Sequence, residues 1–196
     1  QAKTLFPYTT LFRSMSDLSR LAPSHVRAIA PYQPGKPIGE LARELDLDPA
    51  GIVKLASNEN PQGLSPRVKA ALVAALDDIA RYPDGNSFAV KVAVCRRFGS
   101  VPEQIVLGNG SNDLLELVAR TFLSPGDSVV FAQYSFAVYP LVTQACGATC
   151  IEVPARDFGH DLAAMRAAIR ADTKLVFVAN PNNPTGTFVS GAELLA

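Results

Sequence analysis

Residues 174–186 read KLVFVANPNNPTG. Leu175, Val176, Phe177 and Val178 form a short continuous apolar run with two valines and an aromatic, which predicts a strand buried on both faces. The run stops at Asn180-Pro181-Asn182-Asn183-Pro184-Thr185-Gly186. Two prolines remove two backbone donors and hold the residues before them extended. Gly186 allows positive φ where the chain turns away. A stiff loop at the carboxyl end of a strand is where open α/β sheets place their ligands. This one presents carboxamides, which donate or accept a hydrogen bond without changing charge. An ordinary Asx/Pro turn accounts for a bare N-P-x-x-P; the strand followed by NNPTG is more specific.

The 196 residues suffice for one domain with a sizeable core. An apolar fraction of 48% is that of an ordinary globular protein. Eighteen basic residues balance eighteen acidic ones, so charge gives no sign of a nucleic-acid or membrane-surface partner. No uninterrupted apolar run of about 18 residues exists, which predicts no transmembrane helix. Cys95, Cys146 and Cys150 lack a metal spacing with histidine and read as small buried hydrophobes in a reducing compartment; no metal site is expected. His25 and His160 have no evident partner and read as non-catalytic. Residues 1–14, QAKTLFPYTTLFRS, contain no acidic residue and no regular period, and lack the features of a secretory signal. They read as a non-native leader, with Met15 as the start and a cytoplasmic location for the protein.

Residues 15–50 are expected to form an arm and a short helix. Pro23, Pro31, Pro34 and Pro37 break any long helix, and Pro31–Ile38 reads as extended. Glu40–Leu47 is helical by its leucine and charge spacing. Residues 51–196 read as a partial large domain. Ile52–Leu55 is a short strand leading into Ala56-Ser57-Asn58-Glu59-Asn60-Pro61. Ser65 is a good N-cap with Pro66 at the first helical position, and Val68, Ala71, Leu72, Ala75, Leu76 and Ile79 recur at helical spacing. Arg81-Tyr82-Pro83-Asp84-Gly85 is a turn, Ser87–Phe98 a helix, and Gly99 its C-terminal cap.

Gln104–Leu107 reads as a strand, followed by Gly108-Asn109-Gly110-Ser111-Asn112-Asp113 and then a helix through Leu114, Leu115, Leu117 and Val118. Strand, Gly-rich turn and helix in this order make an anion site, because unpaired N–H groups and the positive dipole end face the loop. Ser111 is placed to cap the helix. A dinucleotide fingerprint needs a third glycine where Asp113 stands, and a Walker loop needs Gly-Lys-Ser/Thr; neither is present. Val129–Ala132 is a second buried strand, ending at Gln133-Tyr134-Ser135-Phe136 and followed by a helix to about Cys146. Thr149–Val153 is a third strand, and Asp161 caps a helix carrying Leu162, Met165 and Ile169. The β-α-β-α-β order from residue 104 predicts an α/β fold in three layers, a mostly parallel sheet with helices on both faces.

The NNPTG unit with its strand, the GNGSND loop, the YPD turn and the ASNENP segment together resemble the pyridoxal-phosphate (PLP) aminotransferases of fold type I. The arm Pro31-Tyr32-Gln33-Pro34-Gly35-Lys36-Pro37 is similar to that of the histidinol-phosphate aminotransferases. The resemblance spans nearly all of Ser16–Ala196, roughly half of a typical member, and implies an N-terminal fragment of an incomplete large domain. It implies that Gly110, Ser111 and Asn112 hold the cofactor phosphate, that Tyr134 stacks on its ring, and that Asn183 bonds its phenolic oxygen. It implies a homodimer in which Tyr82 reaches the neighbouring subunit's cofactor phosphate, and substrate contacts from Tyr32 and Asn60. Many relatives carry a proline where this chain has Ala132-Gln133.

In that family the catalytic lysine stands in a Ser-x-x-Lys pattern after the NPTG segment. Lys36, Lys54, Lys69, Lys91 and Lys174 do not match it, so the base is expected beyond the C-terminus and the chain alone to be inactive. The implied full reaction exchanges an amino group between histidinol phosphate and 2-oxoglutarate, with small-molecule amino and keto partners. An aromatic-amino-acid aminotransferase or threonine-phosphate decarboxylase of the same fold remains open, as do a nucleotide-binding module using Gly108–Asp113 and a fragment with no independent function.

Overall fold

The structure is a computed structural model that describes residues 20–32 and 35–195. The leader at 1–14, the start at Met15, and Gln33 and Pro34 of the arm lie outside the described residues. The chain divides into two units, one of Gln1–Tyr32 with Gly108–Ala196 and the other of Gln33–Leu107.

In the first unit, β1 (Ser128–Ala132) has all five residues buried. It is the middle strand of a parallel sheet of order β2-β1-β3, with β2 at Thr149–Val153 and β3 at Thr173–Phe177. Alternate residues of a strand face opposite sides, and each side of β1 meets its own core. Val129 and Phe131 pack with Ala119 and Leu123, at the end of α5 (Ser111–Phe122), and with Val138, Tyr139 and Val142 of α6 (Val138–Ala145). Val130 and Ala132 pack with Val153 and with Met165 of α7 (Leu162–Ala167). Helices therefore cover both faces, as the β-α-β-α-β order predicts. Asp161 caps α7, its Oδ1 accepting from the Ala164 N–H at 3.0 Å. The unit also holds α1 (Ser24–Arg27) and α8 (Gly191–Leu195).

The strand expected to be buried on both faces, β3, is only half-buried. Leu175 and Phe177 face the α6 side, where Phe177 stacks on Tyr139 with centroids 4.6 Å apart and planes 11° apart. Val176 is 42% exposed. The reason is position: β3 has a bonded neighbour on one side only among the described residues, and α7 packs on β1. At the amino end of the sheet, the Ser128 hydroxyl lies 2.9 Å from that of Thr173 and donates to Asp172 at 3.2 Å. Asp172 is in turn held by Arg170.

The second unit carries α2 (Ile38–Leu45), α3 (Pro66–Ala75) and α4 (Phe88–Phe98). Pro66 stands at the first turn of α3 as expected, but the Ser65 hydroxyl makes no capping bond. Asp84 anchors α4, its carboxylate accepting from the Asn86 and Phe88 N–H groups at 2.9 and 2.8 Å. Gly99 ends α4 at φ 69°. The two strands expected here do not form. Residues 52–55 are irregular; Pro102–Gln104 is a 3-10 turn and residues 105–107 continue without pairing. A strand exists by its inter-strand hydrogen bonds, and among the described residues neither segment pairs with another strand.

Candidate cofactor site

The first wall of the site is the turn into α5. A Cβ at Gly108 would lie 2.8 Å from the Asp113 Cβ, so the close approach of loop and helix requires glycine there. Gly110 is the residue before α5 and has φ 81°, a conformation that side chains disfavour. The Asp113 carboxylate turns back into the loop and accepts from the Asn109 N–H at 2.8 Å. Its charge thus closes the turn instead of facing an incoming anion. The capping role expected of Ser111 is not seen: Gly110 is the cap residue, no side chain caps the end, and Ser111 opens the helix. The first-turn N–H groups of α5 have no intrahelical acceptors and sit at the positive end of the helix dipole.

Beside this turn lies a cavity of about 330 Å³. Ser111, Leu114, Leu115 and Val118 of α5 form one side, Phe136 and Tyr139 another, and Ala179 and Asn183, after β3, a third. The loops after β1 and β3 come together because these strands are neighbours, about 5 Å apart. Among the described residues no carboxylate or ammonium lines the cavity. Its chemistry is therefore an anion-receptive helix end, a carboxamide, and apolar and aromatic surface. Tyr139 meets Phe136 edge-on, 87° between planes, and burial pushes its phenol above the usual range, so it stays neutral at pH 7.

Ser111 and Asn183 are thus brought together, with Gly110 and Asn112 flanking Ser111 in the same turn. Tyr134 is not. It sits at φ 58°, is half exposed, and its ring packs on Phe158 with centroids 5.6 Å apart. Phe136, two residues later, lines the cavity together with Tyr139. Tyr32 lines a separate cavity of about 290 Å³ with Ile29, Arg120, Val142 and Cys146. Asn60 closes its own turn, accepting from the Gln62 N–H at 3.0 Å and donating to the Gly63 carbonyl at 3.1 Å. Tyr82 is fully exposed on the unit of Gln33–Leu107.

Several supporting residues had no sequence signal strong enough to single them out. Gln133, noted only for replacing a proline, uses the N–H that proline lacks to bond Val153 O at 2.7 Å, and its Oε1 accepts from the Ala155 N–H at 3.3 Å. His160, read as having no partner, is buried and donates Nε2–H to the Ala179 carbonyl at 2.7 Å, just where the loop after β3 begins. The Asn180 carboxamide pairs with both backbone groups of Val189 at 2.8 and 3.0 Å. The three cysteines are free and half-buried, and burial raises the Cys150 thiol pKa. Among the described residues there is no cluster of three metal-ligating side chains, and no helix is long and apolar enough to cross a membrane.

The chain belongs to the aminotransferase class I and II family, whose model matches residues 50–196. It is 66% identical over 180 residues to the histidinol-phosphate aminotransferase of Methylobacillus flagellatus, covering 92% of this chain and 49% of that protein. It is 64% identical over 175 residues to histidinol-phosphate aminotransferase 1 of Thiobacillus denitrificans, covering 89% and 46%. Its fold is similar to that of the histidinol-phosphate aminotransferase of Sinorhizobium meliloti in complex with pyridoxal-5'-phosphate. That match has a TM-score of 0.78 and 27% identity, and covers 93% of this chain and 48% of that one. The chain spans about half the length of the curated relatives it matches.

Proposed function

We propose that this chain is the cofactor-binding half of a PLP-dependent histidinol-phosphate aminotransferase. In the full-length protein it would exchange an amino group between histidinol phosphate and 2-oxoglutarate, as a step of histidine biosynthesis in the cytoplasm. The observation that carries this is the shared cavity, with a helix start on one wall, the Asn183 carboxamide on another and aromatic surface between them. These features fit a flat aromatic ring with one phosphate. They fit a nucleotide less well, because among the described residues no carboxylate lines the cavity to meet a ribose.

In this reading the backbone N–H groups of Ser111 and Asn112 and the Ser111 hydroxyl receive the phosphate. Asn183 Nδ2 donates to the phenolic oxygen. Phe136, in place of the Tyr134 expected from sequence, packs the ring and excludes water from it. Bound there, PLP supplies an electron sink for the substrate's α-carbon. Lys174, the lysine of this unit among the described residues, stands at the start of β3, whereas the cavity lies beyond its end, which supports the reading that the amine that moves the proton is supplied from elsewhere. The chain alone is therefore expected not to transaminate. The high exposure of Tyr82 suits a homodimer in which it reaches the other subunit's phosphate. Tyr32 and Asn60 remain proposed substrate contacts, neither of them on this cavity's wall.

The test is a thermal-shift titration with PLP, AMP and NAD. PLP is expected to raise the melting temperature, and Ser111→Ala and Asn183→Ala to weaken that response. Stabilisation by nucleotide and none by PLP overturns the proposal. Full-length enzyme that turns over an aromatic amino acid but not histidinol phosphate overturns the substrate assignment only.

A further inference from the structure

Asn182 touches none of the cavity, yet it is the buried residue of the loop after β3, with 3% of its surface exposed. Its Nδ2 donates twice, to the Tyr134 carbonyl at 3.1 Å and to the Thr185 hydroxyl at 2.8 Å. The Thr185 hydroxyl lies 3.0 Å from that of Thr187, and Thr187 donates to the Phe158 carbonyl at 3.3 Å. The same Phe158 carries the Tyr134 ring. The path therefore closes on itself and ties the loops after β1, β2 and β3. Backbone bonds reinforce the Asn182 end: its N–H donates to Thr187 O and its carbonyl accepts from Gly186 N–H, both at 2.8 Å.

We propose that Asn182 is a positioning residue, whose two donated hydrogen bonds, relayed through Thr185 and Thr187, lock the three loops so that Asn183 and Phe136 face one cavity. Asn183 is its chain neighbour, and Phe136 follows the Tyr134 carbonyl by two residues. Both sit on irregular backbone, where position is set by such cross-links and not by a ladder. The donors are what matter. Asn182 Oδ1 is buried without a hydrogen-bond partner, so the amide is held in place by its nitrogen. An aspartate would lose both donors and bury a charge. The consequence for a cofactor rests on the reading given under Proposed function; the coupling of the loops does not.

The experiment compares Asn182→Ala, Asn182→Asp, Thr187→Val and Thr187→Ser with the unchanged full-length protein. Ser128→Ala serves as a control, since it breaks a hydrogen bond at the opposite end of the sheet. Amide hydrogen exchange without cofactor is the first measurement. Asn182→Ala is expected to speed exchange tenfold or more both in 133–136 and in 183–187, while the β1 amides stay protected. Unchanged exchange in 133–136 overturns the proposal whether or not PLP binds. The second measurement is the PLP dissociation constant beside the melting temperature. Asn182→Ala is expected to weaken PLP about tenfold, Asn182→Asp more, Thr187→Val severalfold and Thr187→Ser little. Ser128→Ala should lower the melting temperature with PLP affinity kept. Equal PLP affinity in Asn182→Ala and Ser128→Ala overturns the positioning role. If the unchanged protein fails to bind PLP, the cofactor reading falls and the exchange result alone judges the loop coupling.

Discussion

Phe136 and Tyr134 lie two positions apart and have opposite surroundings. Phe136 lines the cavity and meets Tyr139 edge-on, whereas Tyr134 lies half exposed on Phe158. Removing an aromatic that packs on a ligand ring forfeits about 0.5–1.5 kcal/mol beyond area. Phe136→Ala is therefore expected to weaken PLP severalfold or more, and Phe136→Tyr to retain most of the affinity. Tyr134→Ala is expected to change affinity less, since its carbonyl and not its ring is tied to Asn182. Fluorescence titration of the three variants measures this; a larger loss for Tyr134→Ala would return the ring contact to Tyr134. The resemblance assigned the ring contact to Tyr134, and nothing local in the sequence pointed to Phe136. What separates them is packing: the Tyr134 ring lies on Phe158, whereas Phe136 lines the cavity.

Elements differ in how much of their stability they carry themselves. β1 depends on its neighbours, and Phe131, 2% exposed, sits between α6 and the sheet. Phe131→Ala is expected to destabilise the first unit by about 3–5 kcal/mol, read from urea unfolding; a loss below about 1 kcal/mol would show that β1 is not the core strand. α4 depends on one carboxylate. Bonds from the Phe88 and then the Asn86 N–H hold the Asp84 carboxyl below its usual range. A depressed folded pKa contributes stability above the unfolded value, and that contribution is lost as pH falls through the folded value. The helical signal of the second unit should thus weaken on acidification below about pH 4. Asp84→Asn, which keeps an acceptor, should flatten that dependence in circular dichroism. An unchanged acid profile would mean that Asp84 does not anchor the helix. These helices were readable from sequence because capping and spacing are local. The strands expected at 52–55 and 104–107 were not realised, because pairing is not local.

Over the whole molecule, much apolar surface is open: Phe122 is 60% exposed, Leu117 48% and Val176 42%. Among the described residues β3 has no partner on its outer side, and unpaired edges with apolar neighbours favour association. At micromolar concentration the chain is expected to sediment heavier than its 20.8 kDa. A monodisperse monomer by analytical ultracentrifugation would show that these surfaces are tolerated. The amino-acid sequence by itself determined the parallel α/β order, the helix termini at Pro66, Gly99 and Asp161, and the two turns that meet at the cavity. Each of these is encoded within a few neighbouring residues by period, by φ preference or by a capping side chain. Only the tertiary structure decided that Phe136 and not Tyr134 lines the cavity, that β1 is central while β3 is half open, and that Asn182 ties three loops together. Those outcomes depend on which strands lie side by side and on hydrogen bonds spanning up to 48 residues, and no local pattern in the chain records them.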